Sequence, residues 1–128
     1  MTPEELDLLR SLLHRQPVAA LATLHKGDPA VSMVPFALWP ERQALLIHVS
    51  SLSTHTQDMQ RHPHVSLLVT GSLQDADTPL ALPRVSVVGQ AVPLPQDSAD
   101  HAAARAAYLA KLPDAEPFDL GQLAMYGL

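Results

Sequence analysis

The 128-residue chain has no cysteine, which excludes disulfides, thiolate metal centres, iron–sulfur clusters and cysteine nucleophiles. It has only five glycines, well apart, so it carries no Walker loop, dinucleotide fingerprint or serine nucleophile elbow. Charged residues make up 16% of the sequence, and the eight Lys and Arg form no basic stripe. With a net charge of −5, the electrostatic footprint of a nucleic-acid binder is missing, and no nucleic-acid partner is expected. No apolar run approaches the ~20 residues of a spanning helix; the longest, Val18 to Leu24, is broken by Thr23. The acidic start Met1-Thr2-Pro3-Glu4-Glu5 lacks the order of a secretory signal, so the expectation is a cytoplasmic protein without membrane contact.

What is present is a 47% apolar sequence of single-domain length, expected to fold as one domain over residues 1–128. Thr2-Pro3-Glu4-Glu5 is a capping box, and Leu6, Leu9, Leu12 and Leu13 then recur at helical spacing until Pro17. From Val18 the period changes to short, β-branched segments separated by turn residues. Strands are expected at Val18–Leu24, Ala30–Leu38 and Ala44–Val49, forming a meander through the turns at Gly27 and Pro40. A short helix ending at His62-Pro63 follows, then strands at Val65–Thr70 and Arg84–Val92, with Gly89 suited to a bulge. Asp97 or Ser98 can cap an alanine-rich helix to about Leu112, and Gln122–Leu128 can begin a last strand. The fold class is therefore mainly β, a barrel with short flanking helices.

Seven histidines suggest metal, yet none sits in a known ligand spacing, and no metal site is expected; His62-Pro63-His64 reads as a turn. Ser50 to Thr56 is more distinctive, because hydroxyls cluster where a helix begins. Its unpaired N–H groups and partial positive charge suit a phosphate, although Ser53 or Thr54 acting as a plain cap explains the same residues.

Several strings in order resemble the flavin-binding split barrels of the pyridoxamine 5′-phosphate oxidase superfamily. They are Ala20-Leu21-Ala22-Thr23-Leu24 with Gly27 and Pro29, Val31-Ser32-Met33-Val34-Pro35-Phe36, Ser53-x-His55-Thr56 with His62-Pro63-His64-Val65-Ser66-Leu67-Leu68-Val69, and Leu80 through Ala91. The last is similar to the haem-utilisation branch. The resemblance implies an FMN-binding split barrel, a homodimer with FMN in the groove between its chains, and flavin-dependent oxidoreductase chemistry on a small molecule. It implies phosphate contacts from Ser53, Thr54, His55 and Thr56. Ser32, Met33, Val34 and Pro35 would border the ring, Val49 and Ser50 would lie beside it, and Arg84 or Gln90 would reach in. No residue is an obvious catalytic acid or base; His48 and His55 are the titratable candidates.

Where classical oxidases carry an Arg-Lys pair, this chain has Thr54-His55, so the implied phosphate site holds less fixed charge. Haem-degrading relatives continue past the position of Tyr126-Gly127-Leu128 into a stretch that helps supply their haem site, which places haem second to FMN. A non-catalytic dimeric module that has lost its cofactor is the third reading. Dimerisation is expected to cover the strand faces bearing Val31, Met33, Leu45 and Ile47. The polar loop from Gly71 to Leu82, with Asp75 and Asp77, is expected to act as a mobile rim.

Overall fold

Thr2 sets the first element: its hydroxyl accepts a hydrogen bond from the Glu5 backbone N–H at 3.1 Å, with Pro3 in the first turn. Helix α1 then runs from Pro3 to Arg15 and buries Leu12, while Leu9 and Leu13 are half-buried and Leu6 is exposed. These and the following features belong to a computed structural model that describes the backbone of residues 1–118 and 123–127. Side chains are described for residues 1–74 and 76–115.

Among the described residues, eight strands form two four-stranded antiparallel sheets. The strands are β1 (Val18–His25), β2 (Asp28–Pro35), β3 (Ala37–Trp39), β4 (Ala44–Ser50), β5 (His64–Thr70), β6 (Arg84–Gln90), β7 (Val92–Leu94) and β8 (Leu123–Gly127). The first sheet has the order β2-β1-β5-β6 and the second β3-β4-β8-β7. Helix α2 (Thr54–Arg61) packs on β1, and helix α3 (Ala99–Lys111), capped by the Ser98 hydroxyl, packs on β3 and β4. The last expected strand falls on β8; its end residues Gln122 and Leu128 lie outside the described residues.

Two expected long strands are each divided between the sheets. Pro35 has no N–H to continue the ladder, so β2 ends there. Phe36 turns inward, fully buried, and its N–H donates to Pro17 O at 3.2 Å before β3 starts in the other sheet. The expected meander is thus split, with β1 and β2 in one sheet and β3 and β4 in the other. Likewise Ala91 leaves β6, donates to Pro63 O at 2.7 Å, and hands the chain to β7. Gly89 stands in regular register opposite Val65, so the break comes two residues later than a bulge at Gly89 would put it.

Alternation along β4 buries both of its faces. Leu45, Ile47 and Val49 join Leu21, Val34, Phe36, Leu67 and Val69 in the core between the sheets, while Leu46 packs with Ala37, Trp39, Ala104 and Tyr108 under α3. Leu45 and Ile47, expected to be partly uncovered, are therefore core residues, 4% and 0% exposed. Val31 and Met33 on the outer face of the first sheet are 73% and 66% exposed. The register sets Val31, Ala22, Ser66 and Val88 in one row across that face, and Met33, Ala20, Leu68 and Ser86 in the next.

Candidate functional site

β4 ends at Ser50, and its carbonyl gathers the hydroxyl-rich segment that follows. It accepts from the Ser53 N–H at 3.2 Å, the Ser53 hydroxyl at 2.9 Å and the Thr56 hydroxyl at 2.6 Å. Ser53 and Thr56 also touch each other at 2.7 Å, so two hydroxyl protons serve three contacts. Ser53 is the N-cap of α2, yet its side chain makes no capping bond, because it is turned back to Ser50. Ser53 consequently leaves the first-turn N–H groups of α2 uncapped. Thr54 is exposed beside them, whereas Thr56 is fully buried and acts on the segment's shape.

One turn further, Asp58 is buried and accepts from His25 Nδ1 at 2.8 Å across 33 residues of sequence. The carboxylate orients the half-exposed His25 ring, the arrangement by which proteins fix an imidazole tautomer. Asp58 Oδ2, His55 Nε2 and Ser32 Oγ are buried with no hydrogen-bond partner among the described residues. Removal from water lowers the His55 pKa, against a smaller raising effect of Asp58. No sequence motif announces the His25–Asp58 pair; it exists because α2 packs along the end of β1.

Strand alternation divides the expected ring-bordering residues. Met33 and Pro35 face outward on β2; Val34 faces the core, and Ser32 shares its side. Val49 is a core residue adjoining Ser50. Arg84 and Gln90 are exposed at opposite ends of β6, and Arg84 donates to Leu80 O at 3.0 Å. β6 and β2 are the two edges of the first sheet, so a single chain does not bring Arg84 or Gln90 beside Met33.

A family model described as pyridoxamine 5′-phosphate oxidase matches residues 6–125. The chain belongs to the pyridoxamine 5′-phosphate oxidase family. Among its relatives, a chloroplastic non-canonical haem oxygenase of Arabidopsis thaliana is 36% identical over 119 residues, covering 91% of this chain and 35% of that protein. The chain thus spans about a third of that relative's length. The structure of a haem-binding protein from Mycobacterium smegmatis matches with a TM-score of 0.85 and 29% identity, over 100% of this chain and 52% of that one. An FAD-binding protein from Mesorhizobium loti shares the fold, with a TM-score of 0.75 and 20% identity over 95% of this chain and 84% of that one.

This family member also has a pocket of about 470 Å³ where Pro35 meets His48, Tyr108, Lys111 and Leu112. The His48 and Tyr108 rings meet edge to face, 5.6 Å between centroids, and burial pushes the Tyr108 phenol up to about 12. Lys111 Nζ lies 3.8 Å from the Phe36 ring centre and donates to Leu13 O at 3.1 Å and Gln16 O at 2.6 Å. Burial lowers its pKa to about 8. Among the described residues, no three His, Asp or Glu gather in a metal-binding arrangement, and no helix is long and apolar enough to cross a membrane.

Proposed function

We propose that the chain is a single split-barrel module that pairs with a second copy and binds FMN, with its phosphate at the start of α2. One observation carries this reading: the cap residue Ser53 has turned its hydroxyl back to Ser50, leaving the first-turn N–H groups of α2 for an anion. The exposed Thr54 hydroxyl adds a donor, and His55 completes the segment. Met33, Pro35 and Ser50 border the ring from one copy, while Arg84 or Gln90 reaches it from the other, which removes the separation found within one chain. Bound FMN would supply electron-transfer chemistry. The protein's own part is to bind, orient and exclude water.

Haem is the second reading, favoured by the haem-named relatives at 36% and 29% identity. It would use a histidine as axial ligand and the same dimer, and a haem-degrading activity would follow from it.

Reconstitution with FMN, riboflavin and haem separates the readings. Backbone N–H groups without a fixed cation should favour FMN over riboflavin by about ten- to a few hundred-fold, equivalent to roughly 1.4 to 3.5 kcal/mol. Equal affinity for the two flavins would remove the phosphate from α2. Uptake of haem alone, with a Soret band, would transfer the function to the second reading. Binding of neither would leave a dimeric module without a cofactor.

A further inference from the structure

The two sheets leave a gap where β3, an edge of the second, comes near β6, an edge of the first. Helix α1 spans this gap without filling it, and a groove of about 590 Å³ remains. That volume lies within the range of small-molecule sites. Leu13, Leu38, Leu45 and Val87 form its floor; Leu45 belongs to the main core and the other three pack against it. The groove therefore opens onto the protein interior, and among the described residues its apolar lining side chains are all aliphatic or proline.

Two polar residues line the same groove. Arg10, on α1, is exposed and makes no hydrogen bond or ion pair among the described residues. Gln43 follows the turn at Pro40–Arg42 with a positive φ of 51°. An aliphatic slot with one unpaired guanidinium fits a particular ligand chemistry. The apolar part selects a flexible hydrocarbon, and the planar fork of Arg10 matches a carboxylate. A single cation on a chain of net charge −5 disfavours polyanions such as nucleotides.

We propose that this groove binds a linear aliphatic monocarboxylate, with the hydrocarbon along Leu13, Leu38, Leu45 and Val87 and the carboxylate on Arg10, assisted by the Gln43 amide. The site lies apart from the start of α2 and shares no residue with the flavin reading, so it does not depend on it.

Calorimetric titration of the full chain with hexanoate, octanoate, decanoate and decan-1-ol tests the proposal. Saturable binding should tighten about four-fold per added methylene, the factor that about 0.8 kcal/mol represents. Decanoate should bind more tightly than decanol. Arg10→Gln should weaken decanoate by about ten- to a hundred-fold and leave decanol unchanged. Ala44→Phe should fill the groove and abolish both. Should that variant not fold, methyl chemical-shift changes in the wild type supply the location: they should centre on Leu13, Leu38 and Val87. The proposal is overturned if decanoate does not saturate, if decanol binds as tightly, if Arg10→Gln affects acid and alcohol equally, or if the shifted methyls lie elsewhere. A change in oligomer mass with Arg10→Gln, in place of a change in binding, would assign the groove to a protein contact and overturn it as well.

Discussion

At Thr56 a single hydroxyl shapes the turn from β4 into α2, because it is fully buried and donates to Ser50 O at 2.6 Å. Thr56→Val keeps the volume and removes the donor, and should cost about 1 to 2 kcal/mol in urea denaturation. FMN affinity should fall with it through loss of loop geometry, since the hydroxyl itself is shielded from a ligand. His55 sets a pH dependence. Its folded pKa lies below the ordinary value of 6.5, so on acidification the unfolded chain takes up a proton before the folded one does. Stability contributed by the neutral ring is present above that value and is lost as pH falls below it. Urea midpoints at about pH 7 and about pH 5.5 should therefore drop further for the wild type than for His55→Gln. The same lowering moves any strengthening of phosphate binding by a charged His55 to more acidic conditions.

Elements were more legible in the sequence than their partners. The capping box, the prolines at 17, 63 and 113, and the change of period at Val18 mark α1, the ends of α2 and α3, and most strand starts. The passages at Phe36 and Ala91 were not legible, because the apolar pattern runs on past Pro35 and Ala91, and only packing shows that the chain crosses there into the other sheet. The hydroxyl cluster at Ser50 to Thr56 was visible as composition, but that Ser53 points back to Ser50 and not into α2 is a fact of packing. The loop after β5 is pinned at its base, where the Gly71 N–H donates to Pro83 O at 2.8 Å. A Cβ at Gly71 would stand 2.8 Å from Pro83 Cγ. Gly71→Ala should thus destabilise by about 1 to 3 kcal/mol, read as a shifted denaturation midpoint, and should raise hydrogen exchange from Ser72 to Leu82.

For the whole molecule, the outer face of the first sheet presents exposed apolar side chains: Val31, Met33 and Val88 are 73%, 66% and 81% exposed in adjoining rows. With a second copy on that face, Val31→Asp combined with Met33→Asp should give a folded monomer at tens of micromolar in light scattering, together with loss of cofactor. An unchanged dimer mass would place the contact elsewhere. Within one chain, the passages at Phe36 and Ala91 have a consequence of another kind. Each sheet holds strands whose immediate continuation is a strand of the other, so strands lost from one layer pull directly on the other. This route couples the melting of the two layers, and a single unfolding transition is expected by circular dichroism and by tryptophan fluorescence alike. Such coupling works against a partly opened form that displays one sheet as a template for aggregation.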